Sequence, residues 1–127
     1  MARSKSPRPT DRELSILRIL WDKGPSTVRQ VNEATNEHRN TGYTTTLKLM
    51  QIMTDKGLLL RDDSQFKHVY RPALSEEKAQ KQLVGDLLDR AFCGSAEKLV
   101  MRALSAKKIP AKELARIRKM LDEFEGE

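Results

Sequence analysis

With 127 residues, one Trp, two Tyr and three Phe, the chain has room for about one small domain and an appendage, built from packed helices rather than as a β-sandwich. A single cysteine, Cys93, excludes an intrachain disulfide framework and suits a reducing compartment, and no apolar run approaches the roughly 18 residues of a membrane span. The net charge of +6 is uneven: residues 1–73 carry 13 Lys/Arg against 8 Asp/Glu, residues 74–127 carry 11 against 10, so the half that would attract a polyanion is the first.

The opening residues ARSKSPRP hold three cations and two prolines and cannot fold alone. Two readings of residues 1–9 stand: an unstructured end, or a basic arm touching DNA backbone or minor groove. The start carries no signal-peptide h-region, and the expected location is cytoplasmic. Thr10-x-x-Glu13 is a capping box that starts a helix, and Leu14, Ile16, Leu17, Ile19, Leu20 and Trp21 give it a broad apolar surface. Gly24-Pro25 stops it. A second box, Thr27-x-x-Gln30, opens a shorter helix with Val28, Val31 and Ala34 inward.

After the polar turn NEHRNTG, residues 41–57 read TGYTTTLKLMQIMTDKG. At 100° per residue, Tyr43, Thr46, Leu47, Met50 and Met53 share one face, while Thr44, Thr45, Lys48, Gln51 and Ile52 share the other. The outward face offers hydroxyls, an amide and a cation, with no acid before Asp55. Two short helices joined by a polar turn, the second with such a face, form a helix-turn-helix pattern suited to the major groove. Taken alone, the same face is equally a solvated one.

Leu58 to Arg61 then reads as a strand, residues 62–66 as a turn and Lys67 to Arg71 as a returning strand ended by Pro72, which makes a wing. His68 has no companion His/Cys cluster, so a strand-surface histidine is expected rather than a metal ligand. From Ser75 the chain turns helical. Ala79, Leu83, Leu87, Leu88, Ala91 and Phe92 line a first stripe, Leu99, Val100, Ala103 and Leu104 a second, and Leu114, Ile117, Leu121 and Phe124 a third after Pro110. About fifty residues have too little core of their own to hide this much Leu. A second copy of the same segment is the economical cover, giving a two-fold dimer; docking back on the N-terminal half is the alternative.

Chemistry-bearing patterns are missing. No Gly-rich phosphate loop, Ser/His/Asp set, zinc spacing or Rossmann fingerprint occurs, which points away from an enzyme and from any cofactor. Cys93 reads as a structural thiol, with a thiol-responsive regulator as the rival reading.

The runs ILWDKGPSTVRQVNEA, YTTTLKLMQIMTDKGLL, HVYRPALS and LLDRAFCGSAEKLV, in that order, resemble the BlaI/MecI family of penicillinase repressors over residues 10 to about 124. The resemblance implies a mainly α protein with a small β wing: a winged-helix DNA-binding domain over 10–73 and a helical dimerisation domain over 74–127. It also implies a homodimer on dyad-symmetric operator DNA, often ahead of β-lactamase and sensor genes. Tyr43, Thr44, Thr45 and Lys48 match the family's groove-entering positions, and Gln51, Arg39, Arg61 and Lys67 are expected at the backbone. A sensor-linked protease releases family members from DNA. Its cut aligns with the bond between Arg102 and Ala103, where familiar members have Asn–Phe. A copper-sensing branch uses a cysteine cluster that this chain lacks. Thr41 and Ile52 also depart from the family's aromatic and Arg, and Asp62 and Asp63 at the wing tip would repel phosphate. A winged-helix module that docks a protein instead of DNA is the rival from another class.

Overall fold

The computed structural model describes residues 8–64 and 66–126, so the basic-arm reading of the first residues falls largely outside them. Two compact units divide at Leu83 and Val84, within one helix. The fold is mainly α with a small β wing: α1 (Asp11–Lys23), α2 (Val28–Thr35), α3 (Tyr43–Asp55), β1 (Leu59–Asp62), β2 (Val69–Pro72), α4 (Glu76–Ala91), α5 (Ala96–Ser105) and α6 (Ala111–Glu125).

Both capping boxes form. Thr10 Oγ1 accepts from Glu13 N at 3.2 Å and Glu13 Oε1 accepts from Thr10 N at 2.9 Å. Thr27 and Gln30 repeat the exchange at 3.2 and 2.9 Å. α1 ends at Gly24, whose φ of 86° is the left-handed conformation that glycine takes without a Cβ clash. Ile16, Leu17 and Leu20 from α1, Val28 and Val31 from α2, Met50 and Met53 from α3, with Leu58, Leu59 and Tyr70, make one core. Leu14, Ile19, Trp21, Leu47 and Leu49 pack against its edge.

Glu13 is the unexpected member of this interior. It is 3% exposed, closes the α1 cap, and accepts from Lys56 Nζ at 2.8 Å. One carboxylate thus ties the start of α1 to the end of α3.

β1 and β2 pair antiparallel in the register Leu60 with Arg71 and Arg61 with Tyr70. The strands lie one or two residues later than the hydropathy pattern suggests, which leaves Lys67 and His68 in the turn. His68 is therefore not a strand residue; its Nδ1 sits 2.5 Å from Asp63 Oδ1. Tyr70 also exchanges both backbone hydrogen bonds with Ser26, at 3.0 and 2.8 Å, joining the wing to the α1–α2 connection. Trp21 Nε1 donates to Leu74 O at 3.0 Å, and Ala79 is buried, so the first turns of α4 belong to the first unit.

In the second unit, Ser95 caps α5 and Pro110 occupies the N-cap of α6. Among the described residues none beyond Ala79 is buried. Leu83, Leu88, Phe92, Leu99 and Ile117 are half-buried; Leu87, Leu104, Leu114, Leu121 and Phe124 are exposed, Phe124 by 73%. Cys93 is also exposed, at φ 50°, followed by Gly94 at φ 81°. The thiol thus faces solvent at a helix junction.

Candidate nucleic-acid interface

The connection between α2 and α3 is held by two asparagines. Asn36 Oδ1 accepts from Thr41 N at 2.7 Å, and Asn32 Nδ2 lies 2.9 Å from both Thr41 O and Thr46 Oγ1. With both its backbone groups engaged by these amides, Thr41 cannot join the helix. α3 therefore begins at Tyr43 rather than at residue 41, with Gly42 as its N-cap.

Gly42 offers no side-chain cap, and the first turn of α3 has no acid. The first backbone hydrogen bond of the helix runs from Thr46 N to Gly42 O, so the amides of Tyr43, Thr44 and Thr45 remain at its N-terminus without intrahelical acceptors. An uncapped N-terminus carries partial positive charge, the arrangement that receives a phosphate oxygen.

Thr46, Met50 and Met53 lock the inner face of α3 into the core. On the other face Thr44, Thr45, Lys48, Gln51 and Ile52 are exposed together. Tyr43 departs from its angular assignment to the inner face: it is half exposed, because it sits one turn beyond Thr46, the last fully buried residue toward that end. Its ring and hydroxyl are thereby available beside Thr44. Arg39, in the turn, is exposed too. Neither Lys48 nor Arg39 has an acid within ion-pair distance among the described residues, so both keep a free charge.

The wing differs. Arg61 Nε lies 2.8 Å from Asp63 Oδ1, and Arg61 Nη2 donates to Asp63 Oδ2 at 3.1 Å. Hydrogen bonding with Asp63, and then with Tyr70, raises the Arg61 guanidinium above its ordinary range. Local desolvation pushes the Asp63 carboxyl up, but the bonds from Arg61 and His68 outweigh it and hold the group below its ordinary range. Asp62 is held low by hydrogen bonding to Ser64, whose backbone N–H donates at 2.9 Å. The wing tip is thus a closed set of charges. Lys67 is its remaining exposed cation.

Sequence reasoning found the exposed face of α3 through its period. It missed Asn32, Asn36 and the buried Thr41, because a side-chain clamp across a turn has no periodic signature. It also missed the Arg61–Asp63 pair, for which the alternation of opposite charges two residues apart was the available sign.

Among the described residues no helix is long and apolar enough to cross a membrane, and no group of three or more His, Cys, Asp or Glu side chains could hold a metal. Residues 9–123 match the model of the penicillinase repressor family. The chain is 30% identical over 125 residues to the transcriptional regulator BlaI of Mycobacterium tuberculosis, in the strains CDC 1551/Oshkosh and H37Rv, covering 97% of this chain and 89% of the relative. The winged helix, with its outward polar α3, and this nearly end-to-end similarity have one explanation: the chain belongs to the penicillinase repressor family.

Proposed function

We propose that this protein represses transcription by binding dyad-symmetric operator DNA as a homodimer. The observation that carries the reading is α3: a helix locked by one face into the core and presenting Tyr43, Thr44, Thr45, Lys48 and Gln51 on the other, with an uncapped N-terminus. One α3 from each subunit enters successive major grooves, with half-sites about one helical turn or a multiple apart. Thr44, Thr45 and Lys48 read base edges, and Tyr43 meets a thymine methyl or a phosphate. Gln51, Arg39 and the α3 amides hold the backbone and set the register. The exposed apolar residues of α4, α5 and α6, Leu87, Leu104, Leu121 and Phe124 among them, form the contact between subunits. Release by a sensor-linked protease would act on the bond between Arg102 and Ala103, two exposed residues of α5.

Selection of bound sites from random duplex DNA by the full-length protein is the direct test, and a dyad-symmetric motif is the expected result. Lys48→Ala then weakens binding to that motif by about 1–3 kcal/mol and broadens the preference at one position per half-site. A uniform loss across all duplexes would move Lys48 to the backbone. Recovery of no motif would leave α3 as a protein-docking face.

The wing gives a result of opposite sign. Asp63→Ala removes a phosphate-repelling charge and frees Arg61. DNA affinity is expected to rise about three- to tenfold, with a salt slope steeper by about one. Adding Arg61→Ala should return the slope to its starting value; a slope indifferent to Arg61 would mean that the guanidinium never reaches DNA.

A further inference from the structure

Behind α3 lies a cavity that the DNA-binding reading touches only at Arg39. It opens between α1, the end of α2, the α2–α3 turn and the inner edge of α3, with a volume of about 510 Å3. That is the size range of small-molecule sites. Ile16, Ile19, Ala34 and Leu49 supply the apolar part of its lining. Around it stand Arg12, Arg18, Lys23 and Arg39, against the acids Asp22 and Glu37 and one histidine, His38. None of the four cations is within ion-pair distance of an acid among the described residues.

One residue of the lining, Thr41, is itself buried. It lines the cavity and is 6% exposed, and its Oγ1 is shielded from solvent with no hydrogen-bond partner. A buried hydroxyl left unbonded carries its full desolvation cost, which natural interiors seldom tolerate without a partner. Its neighbour Thr46 shows the contrast, with Oγ1 satisfied by Asn32 Nδ2 at 2.9 Å.

We propose that this cavity is an effector site for a small organic anion, one carboxylate on a compact apolar body, and that its occupancy weakens DNA binding. The apolar part of the lining takes the body and the unpaired cations take the charge. The sign of the effect comes from Arg39. This residue lines the cavity and is also the turn cation that holds DNA backbone, so an anion bound there competes with a phosphate for it. The site itself stands independently of the DNA reading; the antagonism rests on it.

The test uses isotope-labelled full-length protein titrated with benzoate, and with benzamide as its uncharged isostere, at constant ionic strength. Benzoate is expected to shift the amides of residues 34–41 and 46–49 saturably, with a dissociation constant about tenfold or more below that of benzamide, the value of a charge-assisted hydrogen bond. Thr41→Phe fills the cavity and should abolish those shifts. The double variant Arg12→Gln, Arg18→Gln changes only exposed side chains and should erase the preference for benzoate over benzamide, which keeps the proposal testable if Thr41→Phe does not fold. Absent shifts, equal binding of the two probes, or shifts that survive both variants overturn the site. With benzoate saturating, affinity for the selected operator should fall several-fold; an unchanged affinity overturns the antagonism and leaves the site standing. A protein that binds benzoate but no DNA motif refutes the operator reading alone.

Discussion

A chain ending at Leu83 will bind operator about 100-fold or more weakly than the full protein and will sediment as a monomer. The first unit carries every proposed DNA contact, and it keeps Leu74 as acceptor for Trp21 and the buried Ala79, so its own packing is preserved by this cut. What the cut removes is a set of amphipathic helices without one buried residue among those described. On α6, Leu114, Leu121 and Phe124 lie on one stripe and are exposed by 39%, 55% and 73%. Apolar burial at about 25 cal/mol per Å² makes covering such stripes worth several kcal/mol. Two linked half-site readers gain effective concentration that a single reader lacks. Equilibrium sedimentation and an operator titration at fixed salt measure both halves of the expectation. Undiminished affinity of the short chain would assign the last helices another role.

Glu13→Ala is expected to lower the stability of the first unit by about 2–3 kcal/mol. Two interactions end together: the bond that Glu13 Oε1 accepts from Thr10 N and the pair with Lys56, while the bond from Glu13 N to Thr10 Oγ1 remains. The lost half of the cap, one hydrogen bond, contributes about 1 kcal/mol. A hydrogen bond to a charged group contributes about 1.5–3 kcal/mol when shielded, and the 29% exposure of Lys56 places this one toward the lower value. Glu13→Gln separates the two, because an amide at this position still closes a capping box, as Gln30 does in α2. Chemical denaturation should therefore rank Glu13→Gln between the native protein and Glu13→Ala. Equal losses in both variants would make the charge the whole effect.

What was legible in the chain is what is local. The capping boxes at Thr10 and Thr27 depend on residues three apart, so their pattern survives any tertiary context. The buried stripe of α3 follows from its 3.6-residue period, which is why Thr46, Met50 and Met53 were placed inward. Distant partners escaped. The start of α3 at Tyr43 is fixed by the amide clamp on Thr41 from Asn32 and Asn36, which a helix period cannot place. The period angles Tyr43 inward, yet the core ends before it and the ring is half exposed. Lys67 and His68 read as strand because the alternation continues into the turn, where Asp63 takes the imidazole. The stripes of α4 to α6 were equally plain as periods, but a period says that a face needs cover and not what covers it.

The bridge between Ser26 and Tyr70 bears on which changes in length this fold can accept. A lone pair of four-residue strands is marginal in water, and here β2 is tied at one rung to the connection that precedes α2. Inserting or deleting a residue between Gly24 and Thr27 would slide Ser26 off Tyr70 and cost the wing its anchor, whereas among the described residues of the turn between Asp62 and Val69 the side chains of Asp62 and Asp63 accept the bonds from Ser64 and His68. Descendants of such a chain can lengthen, shorten or recharge the tip of the wing while its root stays in register. The same scaffold can thus present a different wing tip without rebuilding the helices beside it.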